Sequence, residues 1–134
     1  MYTEIQKFML ETLKTLLAID SPTGMTSAVI DKTAEIYRSI GYEPKRTEKG
    51  GLVIDLGGEG DAIMTSGHVD TLGGMVAEIK SNGRMRILPV GGLRVENTES
   101  ENVRAYTRDG RVFEGTYQLD NPSTHVNQEY DSEK

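Results

Sequence analysis

One stretch near the middle of the chain decides how the rest is interpreted: Ala62-Ile63-Met64-Thr65-Ser66-Gly67-His68-Val69-Asp70-Thr71-Leu72-Gly73-Gly74-Met75-Val76. Its pattern predicts a short apolar strand, a tight Gly-His-x-Asp turn, and then a second apolar run introduced by two glycines. His68 and Asp70 stand two residues apart where the first strand ends. Their side chains therefore share one face, and they can converge on a metal ion or on each other.

The composition describes an acidic chain with a thin core. Its 134 residues fit one domain, or one domain with the start of a second, and 36% of them are hydrophobic. The net charge of −6 disfavours a nucleic-acid partner, because no basic stripe is available to displace counterions. The absence of cysteine excludes disulfides and thiolate metal sites. No apolar run approaches the ~20 residues of a membrane span, so we expect a cytoplasmic protein without a membrane partner.

Two amphipathic helices are predicted in the first part of the chain. Apolar residues at spacings of three and four predict a helix over Thr3–Ile19, which the Ser21-Pro22-Thr23-Gly24 turn ends. A second helix is predicted to begin near residues 23–26 and to end at Gly41 in a left-handed conformation. The expected buried faces are Ile5, Phe8, Met9, Leu13, Leu16 and Leu17 in the first helix, and Val29, Ile30, Ala34, Ile36, Tyr37 and Ile40 in the second.

Strands and turns are predicted for the rest of the chain. Residues 52–56 and 62–65 are expected to be strands, with a glycine-rich turn between them. Because these strands follow two helices and look buried, we predict an α/β fold in which helices partly cover a sheet. Residues 120–134 are polar, lack an apolar period, and are predicted to be a loop.

Two hairpins are predicted in the second half, which is therefore expected to be an all-β module. The first joins residues 75–80 to 84–90, with a two-residue turn expected within Ser81-Asn82-Gly83. The second joins residues 102–108 to 111–117 around Asp109-Gly110. That register places Tyr106 opposite Phe113 as a cross-strand aromatic pair.

The His68-Val69-Asp70 triplet has two interpretations from these residues alone. A histidine beside an aspartate is commonly a structural hydrogen-bonded pair. The end of a strand and the flanking glycines favour a metal site, in which one ring nitrogen binds a divalent cation and Asp70 accepts a hydrogen bond from the other. His125, the other histidine, lies in a turn-like segment and is expected to be structural or solvated.

Several segments together resemble metallopeptidase family 42, which contains glutamyl, deblocking and tetrahedral aminopeptidases. Residues 65–76 resemble the family's first metal-ligand motif, and residues 17–24 resemble its Ser-Pro-Ser-Gly turn. Residues 49–53 resemble its Gly-Asn-Leu strand start, with Gly51 where the family usually has asparagine. Residues 101–116 resemble the inserted β domain of one subgroup. The resemblance covers nearly all of the chain.

The resemblance implies an activity and a pair of site residues. His68 would be a ligand to one of two divalent ions (zinc, cobalt or manganese), and Asp70 would be the site carboxylate that orients His68 and tunes its basicity. The implied reaction is metal-dependent removal of N-terminal residues from a peptide substrate. Another dinuclear exopeptidase family of the same clan shares the His-x-Asp turn and is the rival interpretation.

The resemblance also implies a domain organisation. Residues 1–72 would be the N-terminal part of a zinc-peptidase-like α/β sandwich. Residues 73–134 would be the start of an inserted dimerisation domain of PDZ-like or barrel-like type. The family's other ligands and its general base lie beyond that insertion, so we expect a truncated chain that binds metal weakly or not at all and is inactive alone.

A non-catalytic role is the alternative function. Because the family's inserted β domain mediates subunit contacts, the β-rich half could make this chain an assembly or binding module that self-associates. Exposed strand edges favour such pairing between chains. A homo-oligomer is expected in either case.

Overall fold

A computed structural model describes residues 3–119, 121–123 and 125–129. Helices come first and antiparallel strand pairs follow. The elements are α1 (Glu4–Leu17), α2 (Ser27–Ser39), β1 (Lys45–Arg46), β2 (Leu52–Val53), β3 (Gly73–Ile79), β4 (Met85–Val90), a 3-10 turn (Val95–Asn97), β5 (Asn102–Tyr106) and β6 (Val112–Thr116). Contacts divide the chain into two compact units, Met1–Gly91 and Gly92–Lys134. The predicted domain boundary at residue 73 stays a prediction.

Helix α1 confirms the first predicted helix. A capping box starts it: the Thr3 hydroxyl accepts from the Gln6 amide at 3.2 Å, and the Gln6 side chain accepts from the Thr3 amide at 2.9 Å. The expected burial of its apolar stripe was wrong, since no residue of α1 is buried and Ile5 is 72% exposed. Among the described residues, α1 packs mainly on α2, and this contact leaves the stripe exposed.

Helix α2 carries the core of the first unit. Val29 is fully buried and Ala34 is 5% exposed, as the helical spacing predicts, whereas Ile40 remains 47% exposed. The helix ends as predicted, because Gly41 adopts a φ of +95°, which favours glycine, and its amide donates to the Arg38 carbonyl.

The strands form three separate two-stranded antiparallel sheets within the described residues. β1, which the sequence analysis missed, pairs with β2. The predicted strand over residues 52–56 stops at Val53, and residues 62–65 form no strand. A strand requires backbone partners, and Ile63 and Met64 are 92% and 90% exposed instead. The mixture of helix and strand is confirmed, whereas a larger sheet is not assembled among the described residues.

Both predicted hairpins form, but with longer loops than expected. β3 pairs with β4, and the Lys80 amide donates to Arg84 across a three-residue loop in which Gly83 has a φ of +82°. β5 pairs with β6, and the Thr107 amide likewise donates to the Arg111 carbonyl across a three-residue loop. Such loops end in a left-handed residue, here glycine.

The longer loop changes the register of the second hairpin by one residue. Tyr106 pairs with Val112, and Ala105 pairs with Phe113. The predicted Tyr106–Phe113 pair was therefore wrong. A loop of residues 108–110, rather than Asp109-Gly110 alone, moves each partner by one position.

Short turns occupy the described part of the C-terminal segment, residues 121–123 and 125–129. The loop prediction for residues 120, 124 and 130–134 lies outside the described residues. None of the described helices has the length and hydropathy needed to cross a membrane.

Candidate metal-ligand site

The His-x-Asp turn lies beside the loop between the two helices. The Thr71 amide donates to the Ser21 carbonyl at 2.9 Å, and the Ser21 hydroxyl donates to the Val69 carbonyl at 3.2 Å. Pro22 and Thr71 form a parallel β-bridge. Ser21 is fully buried, so its hydroxyl joins the two segments out of contact with water. These bonds fix the backbone on which His68 and Asp70 are carried.

Gly73, the first of the two glycines after the turn, permits this close approach. A Cβ atom added at Gly73 would lie 2.5 Å from the Cβ of Pro22. On the other segment, the Met25 amide donates to the Pro22 carbonyl at 2.8 Å, and Gly24 adopts a φ of +93°. The Ser-Pro-Thr-Gly turn thus presents a compact surface that only a residue without a side chain can approach at position 73.

His68 and Asp70 interact directly, as the sequence analysis expected for either interpretation. The Nδ1 atom of His68 lies 3.1 Å from the Asp70 carboxylate Oδ1 and 3.1 Å from the Asp70 carbonyl oxygen. Both oxygens are acceptors, so these partners assign the proton to Nδ1 and leave the lone pair on Nε2. The imidazole is 85% exposed, which makes Nε2 accessible to a ligand from solvent.

Thr23 binds the second oxygen of the Asp70 carboxylate. Its hydroxyl donates to Oδ2 at 2.7 Å, across a sequence separation of 47 residues. This hydrogen bond is the main cause that holds the pKa of Asp70 below its ordinary value; partial desolvation opposes it, and His68 adds to the lowering. Asp70 is therefore ionised at neutral pH and can accept from both neighbours.

The chemistry of the His68–Asp70 pair fits part of a metal site. An imidazole with a carboxylate on its far nitrogen is the usual arrangement of a metal-binding histidine, and it suits zinc, cobalt or manganese. No group of three or more His, Asp or Glu side chains in the described ranges is placed to hold an ion. The pair thus fits one ligand and its orienting group. His125 lies in the second unit.

Thr23 and Ser21 are the site residues that sequence reasoning missed. Both belong to the turn that resembles the family's Ser-Pro-Ser-Gly motif, and the local pattern there predicts only the end of the first helix. Their contacts with residues 69–71 are long-range, and no local pattern reveals such a pairing. The similarity of that turn to a family motif was the one available signal.

Comparisons with known proteins show the family to which the chain belongs. The M42 glutamyl aminopeptidase family matches residues 50–134, which is more than half of the chain. The chain therefore belongs to this family of aminopeptidases, and the resemblance expected from the sequence is confirmed.

Individual relatives agree with the family. "Putative aminopeptidase YhfE" of Bacillus subtilis is 39% identical over 126 residues, covering 92% of this chain and 36% of that protein. Glutamyl aminopeptidase of Lactococcus lactis is 27% identical over 104 residues, covering 75% of this chain and 29% of that protein. The structure of aminopeptidase APDkam598 from Desulfurococcus kamchatkensis superposes with a TM-score of 0.75 at 31% identity, covering 88% of this chain and 33% of that one.

The length of these relatives bears on what can be transferred from them. The chain spans about a third of the length of the proteins it matches. Membership of the family is a property of the matched residues. The match does not by itself transfer the activity, substrates or partners of those longer proteins to this chain.

Proposed function

We propose that this chain contributes one metal ligand and its orienting carboxylate to a dinuclear metal-dependent aminopeptidase site. His68 would bind one of two divalent ions through Nε2, and Asp70 would hold the opposite ring nitrogen. The observation that carries the proposal is the pair of 3.1 Å contacts from His68 Nδ1 to Asp70, which leave Nε2 as the ligating atom. Membership of an aminopeptidase family supports the reaction class.

The two residues have separable tasks at such a site. The ionised Asp70 carboxylate accepts from Nδ1–H, which keeps the ring in one tautomer and makes Nε2 a stronger electron-pair donor. The exposed imidazole places that donor where an ion can reach it. When bound, the ions would supply Lewis-acid polarisation of the peptide carbonyl and would lower the pKa of water.

The described residues are not expected to catalyse hydrolysis by themselves. A dinuclear hydrolase needs several ligands to hold two ions ~3.5–4 Å apart, together with a carboxylate base to activate water. Among the residues that the structure describes, no larger ligand cluster accompanies the His68–Asp70 pair. We therefore expect these residues alone to bind a divalent ion weakly and to support no metal-dependent turnover.

The test combines an activity assay with metal binding. The chain is assayed on aminoacyl-p-nitroanilides with cobalt, manganese or zinc, and cobalt(II) affinity is measured by calorimetry. We expect no turnover, weak binding, and a roughly 10- to 100-fold loss of affinity in Asp70→Asn, with a larger loss in His68→Ala. His125→Ala is the matched control and should bind as the unmodified chain does.

Two results would contradict the proposal. Turnover comparable to that of a complete aminopeptidase would overturn the inactivity of these residues. Cobalt affinity that is the same in His68→Ala as in the unmodified chain would overturn the assignment of His68 as a ligand.

Self-association is a second candidate function, favoured by the apolar side chains that the chain exposes. Ile79 on β3 is 73% exposed and Met75 is 61% exposed. In the second unit, Phe113 on β6 is 50% exposed. Exposed apolar side chains on short strand pairs favour pairing with another chain. We propose that the chain forms homo-oligomers through its β-rich part, in addition to its place in a peptidase.

A further inference from the structure

We propose that Thr23 is a positioning residue for the His68–Asp70 pair. Its hydroxyl would hold the Asp70 carboxylate in the orientation that presents Nε2 of His68 to a divalent ion. The inference rests on the proposed function, because the orientation of Asp70 matters for metal binding only where His68 is a ligand.

Each oxygen of the Asp70 carboxylate interacts with a different donor. Thr23 Oγ1 lies 2.7 Å from Oδ2, and His68 Nδ1 lies 3.1 Å from Oδ1. An aspartate that is held at one oxygen alone can still rotate about its Cα–Cβ and Cβ–Cγ bonds. A donor on each oxygen removes that freedom and fixes the plane in which the imidazole is held.

Exposure makes the additional donor important. The Asp70 side chain is 35% exposed and the His68 side chain is 85% exposed, so water competes for both groups. Packing alone therefore does not determine their rotamers. Thr23 does not belong to the His-x-Asp turn. Its position is fixed because its neighbours Ser21 and Pro22 are bound through the backbone to Thr71. The hydroxyl thus comes from a fixed position rather than from the turn itself.

Ser21 and Thr23 consequently have different roles, although they lie two residues apart. Ser21 is buried and donates to the backbone carbonyl of Val69, which fixes the course of the chain. Thr23 is exposed and donates to the side chain of Asp70, which fixes a functional group. Removal of the Thr23 hydroxyl should therefore change the site more than the fold.

The experiment compares Thr23→Val with Thr23→Ser in the full 134-residue chain. Three-bond Hα–Hβ couplings of Asp70 measure its χ1 rotamer by NMR, and calorimetry measures cobalt(II) affinity. We expect one dominant Asp70 rotamer in the unmodified chain and in Thr23→Ser, and averaged couplings in Thr23→Val. Cobalt affinity should fall about three- to tenfold in Thr23→Val and should be retained in Thr23→Ser, as the loss of one hydrogen bond to a charged group implies.

Thr33→Val is the matched control. It makes the same chemical change in the same unit, and its hydroxyl donates to the Val29 carbonyl of its own helix at 2.7 Å. It should alter neither the Asp70 couplings nor cobalt affinity. If Thr23→Val does not fold, Thr23→Ala provides the same loss of the hydroxyl without a branched side chain in its place.

The outcomes separate this inference from the proposed function. Unchanged Asp70 couplings in Thr23→Val would overturn the positioning role, and so would unchanged cobalt affinity in Thr23→Val when His68→Ala loses it. Averaged couplings in Thr23→Val, together with cobalt affinity that does not depend on His68, would instead support the Thr23–Asp70 contact. They would contradict the proposal that His68 is a metal ligand. A loss in Thr23→Val that Thr23→Ser restores would support the inference.

Discussion

At the scale of single residues, the contact between Gly73 and Pro22 leaves no room for a side chain at position 73. The proline ring occupies the space that a side chain at position 73 would need, with 2.5 Å between the Pro22 Cβ and an added Cβ. Neither atom belongs to the flexible end of a side chain, so the backbone would have to move. Residues 21–23 would then move away from residues 69–71, which include Asp70.

Gly73→Ala should therefore destabilise the first unit. We expect a loss of about 1–3 kcal/mol, the usual cost of forcing an extra carbon into a packed contact. Urea unfolding followed by circular dichroism measures it. Gly67→Ala is the control, because an added Cβ there meets nothing within 4 Å. Equal stability of the two variants would show that the contact with Pro22 is not tight.

Individual site residues were predictable where the signal is local. The His68–Asp70 contact joins residues two apart, so their spacing along the chain was enough to predict it. The role of Thr23 was not predictable, because its partner is 47 residues away and its own neighbourhood suggests only a turn. A local pattern contains no information about which distant segment will lie beside it.

At the scale of elements, the loop of the second hairpin sets its register through a small polar network. The Thr107 hydroxyl donates to one oxygen of Asp109, and Arg111 Nε donates to the other at 2.8 Å. Together, chiefly through the threonine hydroxyl, they hold the pKa of Asp109 below its ordinary value. Gly110 completes the loop with a φ of +83°.

The sign of this shift gives the pH dependence of the hairpin. Because the pKa of Asp109 is lower in the folded loop, ionisation favours the fold at any pH above the usual aspartate value of about 3.9. The contribution is lost as the pH falls through the lower, folded pKa. An NMR titration of the Gly110 amide should show a midpoint below that usual value. Asp109→Asn should abolish this transition, and a midpoint at or above the usual value would contradict the network.

Elements were predictable to different degrees. Both helices and both hairpins follow from apolar period and turn residues, and α1 and α2 end close to the predicted positions. The register of the second hairpin was not predictable, because Asp109-Gly110 is compatible with a two-residue or a three-residue loop. The strand over residues 62–65 was predicted from its composition, but composition does not supply the backbone partner that a strand requires.

At the scale of the whole molecule, the described chain buries little of its apolar surface. Val29 and Ala34 are the buried hydrophobic residues of the described part, while large side chains on α1, β3 and β6 remain exposed. Sequence periodicity predicts which face of an element is apolar, but not whether the residues present suffice to cover it. This imbalance supports the self-association proposed above.

Sedimentation should therefore depend on protein concentration. We expect the weight-average mass to rise with concentration, and Ile79→Lys to reduce that rise, because it replaces an apolar side chain that is 73% exposed. Analytical ultracentrifugation measures this. Ala77→Lys on the same strand adds the same charge and removes no large apolar group, so it should have the smaller effect. A monomer at every concentration would exclude self-association.

The joining of residues 21–23 to residues 69–71 also bears on how the chain folds. The two side-chain hydrogen bonds between these segments close loops of 47 and 48 residues, whereas each helix and hairpin is built from near neighbours. The closure entropy of such a loop is about 3 kcal/mol before any compensating contact forms. Helices and hairpins can form within microseconds, but the segments that carry Thr23 and Asp70 must first find each other across the chain. We therefore expect the orientation of the site to be acquired late in folding, after the local elements have formed.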